Sequence, residues 1–547
     1  MGILSRVLMA APAGYFVASA GVWYQQPNLV TRPEGLYKAW AALGLHAPNS
    51  MWLAAYAAAF AVAFILVHPS LERSKYGKAK WGNWRTAREL KLNGKQGIFL
   101  GLLDGKPLRL DESLSVLILA PPGTGKTSAI AIPTLLTSRN SFIISDLKGE
   151  LFDLTAPTRS TFSRVWYFNP TSKGTARFNI FAASMMPKSI LDFSGHVLNA
   201  AHIIIETPQK GEDYFTKAAR DAFAFFAQWL IWKNGATSLP EIRSQILSSE
   251  DIAGTVEDMI ADLEGEGALS SHNDWSEYGP GIIQKLIEDG RSTLVAARSE
   301  EQWAGVMGTL STSLQPFSDP RIAAATSGPS DLNAEDLKKE CTSIYLVIPD
   351  KDLARLSPIV TLIFEALGSQ LISEMPKPAQ VPVTFLLDEF IRLGKLKQVK
   401  ELPAISRGYR VNAVFIAQDF QQIADKYGRE AVSIFNSTCA YKVIFRQNDL
   451  KTAKDISDTI GNFTTTKLST SRSAKGILKT ERSTSEAEEG IALVSAQEIL
   501  NLSKEESIVI GQGELMHPLK VKNGFWFSQK DMMSLIRTNA FRREVLG

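Results

Sequence analysis

Short, largely apolar, strand-like runs recur along most of the chain, at residues 116–119, 141–145, 165–168, 343–348, 383–387, 411–416 and 442–445. Several stop abruptly at polar or turn residues: Asp146, Asn169-Pro170, Pro349-Asp350 and Asp388-Glu389. Runs of this length without alternation predict strands covered on both faces. Helical spacing between them predicts a mostly parallel α/β sheet. From about 185 to 335 the strand pattern stops. There, Phe215, Ala218, Ala219, Phe223, Phe226 and Leu230 fall at helical spacing. The economical reading is an all-α domain, 185–335, inserted between two parts of a sheet domain, 111–184 and 336–547. Residues 464–489 are rich in Ser, Thr, Lys and Glu and poor in apolar side chains, which predicts a mobile loop.

The N-terminal pattern differs. Residues 7–24 and 51–67 carry no charge. They predict two transmembrane helices, within 1–24 and 51–68, joined by a small loop, 25–50. Arg6 followed by an apolar stretch and Ala18-Ser19-Ala20 also resembles a cleavable leader, but the second span and the basic segment behind it argue for a retained anchor. Residues 69–95 hold eight basic and two acidic side chains. This excess places the basic juxtamembrane segment, 69–110, and the chain after it on the cytoplasmic side, facing anionic phospholipid.

Charge then narrows the classes. The whole chain carries +3, and residues 1–95 account for +8, so the remainder is at −5. No basic stripe marks a duplex-DNA surface. The two cysteines, Cys341 and Cys439, suggest neither a disulfide framework nor a metal cluster, and the histidines show no zinc spacing.

Candidate chemistry lies at the ends of two predicted strands. Ala120-Pro121-Pro122-Gly123-Thr124-Gly125-Lys126-Thr127 follows the run 116–119 and precedes the helix-compatible Ser128-Ala129-Ile130-Ala131. Glycines in a strand-to-helix loop let backbone N–H groups wrap a phosphate, and the helix start adds partial positive charge. Residues 122–128 (Pro122, Gly123, Thr124, Gly125, Lys126, Thr127 and Ser128) are therefore the expected nucleotide-binding set. Lys126 would reach the β- and γ-phosphates and Thr127 would ligate Mg²⁺. The first position of the motif is Ala120 where glycine is usual. The run 383–387 supplies the second acid: Asp388 for the Mg²⁺ shell and Glu389 to polarise an attacking water. ATP and Mg²⁺ are the expected cofactors, and the pair predicts an NTPase.

The motifs and their order resemble the type IV coupling proteins of the TraG/TrwB type, inner-membrane ATPases of conjugation and type IV secretion. The resemblance runs over about 70–460. It rests on Tyr76-Gly77-Lys78-Ala79-Lys80-Trp81-Gly82, Asp146-Leu147-Lys148-Gly149-Glu150-Leu151, Leu387-Asp388-Glu389-Phe390 with Leu393-Gly394, Arg407-Gly408-Tyr409, Ala417-Gln418 and Tyr427-Gly428. It implies a RecA-like P-loop NTPase domain with an inserted all-α domain and a two-helix membrane anchor, assembled as a homohexameric ring in the bacterial inner membrane. It adds Arg407, an arginine reaching the nucleotide of a neighbouring subunit, and Gln418, a γ-phosphate sensor, to the catalytic Lys126 and Glu389. The roles of Asp146 and Lys148 stay open between catalysis and strand-end structure. Implied partners are the inner-membrane channel components of the secretion system and a cargo, either protein effectors or a relaxase–DNA complex, recruited by the all-α domain. A motor that pumps DNA directly is the alternative.

Overall fold

The computed structural model describes residues 77–208, 211–265, 279–474, 480–512 and 517–536. Both expected membrane helices, 1–24 and 51–68, lie outside the described residues. The chain divides into two compact units, residues 79–461 with 492–547, and residues 1–78 with 462–491.

The larger unit is built on an eleven-stranded sheet. Its strands are β1 (Ile98–Leu103), β2 (Lys106–Leu110), β3 (Val116–Leu119), β4 (Ser141–Asp146), β5 (Arg164–Phe168), β6 (Thr342–Val347), β7 (Val383–Leu387), β8 (Val411–Ala417) and β9 (Tyr441–Ile444). A separate ribbon supplies β10 (Asn462–Ala474) and β11 (Thr480–Ala492), and the large sheet is completed by β12 (Glu506–Gly511) and β13 (Leu519–Lys522). The order is β2-β1-β13-β12-β9-β3-β8-β7-β4-β6-β5. From β9 to β5 every pairing is parallel, whereas β12, β13, β1 and β2 extend the sheet antiparallel. Every residue of β3, β4, β6, β7, β8 and β9 is buried, as their largely apolar, non-alternating sequences require.

Helices cover both faces. From the loop after β3, a π-helical turn, Thr127–Ala131, runs into α1 (Ile132–Thr137), and α2 (Glu150–Arg159) follows β4. The fully buried Arg159 guanidinium staples α2 to the sheet. It donates to the carbonyls of Leu135, Ser138 and Asn140 and to Ser343 Oγ, and lies over the Phe142 ring. No carboxylate is needed, because three carbonyls, the Ser343 hydroxyl and the Cys341 sulfur accept from the guanidinium.

Between β5 and β6 every regular element among the described residues is helical. The principal helices are α3 (Phe193–Ile204), α4 (Tyr214–Asn234), α5 (Leu239–Leu247), α6 (Ile252–Glu264), α7 (Gly279–Ala297) and α8 (Glu300–Leu314). They gather around Phe223, Phe225 and Phe226 of α4, each without exposed surface. After β6 comes α9 (Asp350–Ile372), the single described helix long and apolar enough to cross a membrane. It packs between α3 and α10 (Lys397–Tyr409), with 61% of its most apolar stretch buried inside the protein, as a core helix. The remaining named helices are α11 (Phe420–Tyr427), α12 (Arg429–Thr438) and α13 (Leu450–Ile460).

One expectation is corrected in the smaller unit. Of residues 464–489, read as a mobile loop, 464–474 belong to β10 and 480–489 to β11, and the two strands pair. Low apolar content hid them. A two-stranded ribbon satisfies its backbone by pairing alone, and Thr464, Thr465 and Thr466 are β-branched residues that suit a pleated chain. At the base of the ribbon Lys78 bridges Phe463, and both the amide and the hydroxyl of Thr464 donate to the Gly77 carbonyl at 3.2 Å.

Candidate nucleotide site

Parallel order puts three strand ends on one edge. Leu119 of β3 lies opposite Ala417 of β8, and Leu387 of β7 lies opposite Phe415 of β8. The glycine loop, Gln418 and Asp388-Glu389 therefore leave the sheet side by side, at the carboxyl edge where open α/β sheets bind ligands.

The loop is tied at its root. Ala120 N–H donates to the Ala417 carbonyl at 2.8 Å, and Thr124 Oγ1 donates to the Pro121 carbonyl at 2.7 Å. Ala120 is fully buried, so a small side chain there meets the packing requirement. Gly123 and Gly125 have φ of 77° and 81°, left-handed values that a side chain would strain. Lys126, buried, turns its ammonium onto the second acid pair: Nζ lies 3.3 Å from Glu389 Oε1 and 3.7 Å from Asp388 Oδ1. Thr127 Oγ1 donates to Asp388 Oδ2 at 3.1 Å. Four residues from two distant parts of the chain thus converge on one point.

The electrostatics follow from burial. Desolvation raises the Asp388 pKa, and the Lys126 ammonium and Thr127 hydroxyl oppose that rise. Asp388 Oδ1 is buried and accepts no hydrogen bond, although the Lys126 ammonium lies 3.7 Å away. An acid oxygen, a hydroxyl and a glycine loop together make a donor set that suits Mg²⁺ bound to phosphate. Glu389 has φ of 55°, a left-handed conformation that is uncommon without glycine and recurs at functional sites. Asp146 is driven up to about 6 by burial, against the lowering pull of the N–H groups at the start of α2; Phe152 N–H donates to it at 2.8 Å.

Two cavities open here. One of about 530 Å³ is lined by Lys126, Glu389, Arg392, Gln418, Gln422 and Lys426. The second, about 50 Å³, is bounded by Lys126, Thr127, Asp146, Lys148 and Asp388. Gln418, Lys126 and Glu389 therefore share one cavity, while Asp146 and Lys148 stand on the other side of the lysine. Arg407 is elsewhere. It sits near the end of α10, its side chain 71% exposed, with Nη2 3.6 Å from Glu112 Oε2. Arg392 did not emerge from the motifs. It grips Asp350 at the start of α9 at 2.7 and 2.9 Å and approaches Glu389 Oε2 at 3.8 Å. Its position three residues after Glu389 was the one available signal.

Sheet, loop and acid pair define a protein of the P-loop nucleotide-binding class. The family described as type IV secretory system conjugative DNA transfer matches residues 73–544, and the chain belongs to it. VirD4 of Rhizobium rhizogenes is 28% identical over 85% of this chain and 67% of its own length. VirD4 of Rhizobium radiobacter is 29% identical over 79% of this chain and 59% of its own. Conjugal transfer protein TraG of Escherichia coli is 26% identical over 74% of this chain and 68% of its own. The chain therefore spans 59–68% of the length of these relatives. The solved coupling protein TrwBdeltaN70 shares the fold, with a TM-score of 0.57 over 83% of this chain and 96% of that one at 17% identity. TrwB in complex with ADP and Mg²⁺ gives the same score over 82% and 97% at 16% identity.

Proposed function

We propose that this protein is a membrane-anchored coupling ATPase that delivers cargo to a type IV secretion channel. The observation that carries the reading is the convergence of Lys126 and Thr127 on Asp388 and Glu389 at the carboxyl edge of the sheet. In a solved relative of the same fold, TrwB, the bound ligands are ADP with Mg²⁺. Here residues 122–128 would wrap the phosphates, with Thr127 and Asp388 holding Mg²⁺. Bound there, the metal would neutralise charge on the phosphate oxygens. Lys126 leaves the two carboxylates for phosphate oxygen, and Glu389, released from the ammonium, orients water for in-line attack. Gln418, on the cavity wall with Glu389 just after β8, would register the γ-phosphate.

Arg407 supports assembly as a ring. It is exposed and does not line the cavities of its own chain, so as a finger it serves a neighbouring subunit. The anchor in residues 1–68 sets this ring on the bacterial inner membrane beside the channel components, and the helical block, 185–335, receives cargo. The charge of −5 outside residues 1–95 favours recruitment of a protein or relaxase–DNA cargo over direct tracking along duplex DNA.

Capture of wild-type and Glu389→Gln protein from native membranes, with and without nuclease, tests the reading. Glu389→Gln should hold ATP without turnover and accumulate cargo, and Lys126→Ala should bind neither ATP nor support transfer. Transfer that survives Lys126→Ala sinks the proposal. ATPase activity that rises with DNA and falls steeply with salt would instead establish the DNA-pumping motor.

A further inference from the structure

The glycine loop has a neighbour that the motifs did not announce. After β13 the chain turns back across the first turn of the helix behind the loop, as a 3₁₀ turn, Trp526–Ser528, and a short helix, Lys530–Leu535. The turn is firmly held. Gln529 Nε2 donates to the Gly524 carbonyl at 2.7 Å, Met532 is buried, and Thr158 donates to the Leu535 carbonyl. Its leading side chain, Phe525, rests on the loop itself: a Cβ built on Gly125 would lie 2.6 Å from Phe525 Cε1. Phe525 stacks on Phe527 with centroids 5.3 Å apart and planes 11° from parallel, and Phe527 is 53% exposed. A half-open aromatic pair thus stands directly beside the amides expected to hold phosphate.

We propose that Phe525 and Phe527 are the wall against which the base of the bound nucleotide stacks. The inference rests on the nucleotide-site reading above and deepens it. A nucleotide anchored by its β-phosphate in the loop must lay its ribose and base along the flank of the first helical turn, and that flank is aromatic. Stacking recognises the face of a base and ignores its hydrogen-bonding edge. Two side-chain donors of the turn are already engaged: Ser528 Oγ donates to the Phe525 carbonyl at 2.8 Å, and Gln529 Nε2 donates to Gly524. The wall therefore accepts adenine and guanine alike, and base affinity is separable from phosphate affinity.

Calorimetric titration of the full-length, detergent-solubilised protein with Mg·ADPNP, Mg·GDPNP and Mg·tripolyphosphate, which has no base, tests this. Phe525→Ala should weaken both nucleotides about tenfold, the scale of one lost base–aromatic stack, and leave tripolyphosphate within about twofold. Phe525→Tyr should restore nucleotide affinity. Phe527→Ala should repeat the selective loss. Equal loss of nucleotide and tripolyphosphate would show that the ring only props the loop, and overturns the proposal. So does unchanged nucleotide binding, or failure of the wild type to bind the guanine analogue. A wild type that binds neither nucleotide nor tripolyphosphate removes the nucleotide site itself, and the wall with it.

Discussion

Asp146 shows how the end of one strand is tuned. It is buried between the P-loop lysine and α2, and burial raises its pKa from 3.8 to about 6, although α2 amides donate to it. The sign is that of an acid harder to ionise in the folded chain than in the unfolded one. Between those two values the native state binds more protons at Asp146, so this group's contribution to stability is highest below pH 3.8 and is lost as pH rises through about 6. The penalty at neutral pH is up to about 3 kcal/mol. Asp146→Asn keeps an acceptor for the Phe152 amide and removes the charge. It should therefore melt a few degrees above wild type at pH 7.5, with the gap closing towards pH 4. A gap that does not change with pH would refute the desolvation account. The same scale separates what could be read from the chain and what could not. Lys126, Thr127, Asp388 and Glu389 were legible because each sits at a fixed offset from an apolar run. Arg392 and Phe525 act through contacts with residues distant in sequence, Asp350 and Gly125, that no local spacing encodes.

Elements were legible where burial was two-sided. The strands β3, β4, β6, β7, β8 and β9 read as largely apolar runs because helices cover both faces. The strands β1, β2, β12 and β13 were not anticipated. In β13, Leu519 and Val521 are buried while Lys520 and Lys522 are exposed, so its four residues resemble any short polar stretch. The helical block was legible from the spacing in α4, yet the closeness of its packing was not. Gly290 of α7 makes the point. A Cβ there would lie 2.6 Å from the Phe225 ring of α4 and 3.0 Å from Ile260 of α6. Alanine gains about 1 kcal/mol in helix propensity over glycine. Overpacking a filled core costs about 1–3 kcal/mol, and Phe225, with no exposed surface, has nowhere to turn. The clash wins. Gly290→Ala should destabilise the block by roughly 1 kcal/mol, read as a lower urea midpoint. A stabilised variant would mean that α4 and α7 can separate at little cost.

At the scale of the whole molecule, one chain brings the glycine loop, two acids and Gln418 together, but keeps its candidate arginine finger elsewhere. Glu112, which also receives the Lys91 ammonium at 2.5 Å, holds Arg407 at 3.6 Å. That exposed pair contributes little to stability, so Arg407 is free to leave it for a phosphate on an adjoining subunit. A finger supplied in trans makes a complete site a property of two chains. Arg407→Ala alone should then bind ATP normally and lose about 10³-fold or more in turnover. Lys126→Ala alone should fail to bind at all. Co-assembled, the two should regain a substantial fraction of wild-type ATPase activity, because an intact Lys126 in one subunit can face an intact Arg407 from its neighbour. Both variants remaining inactive after mixing, in rings shown to contain both chains, would place the arginine in cis or outside catalysis.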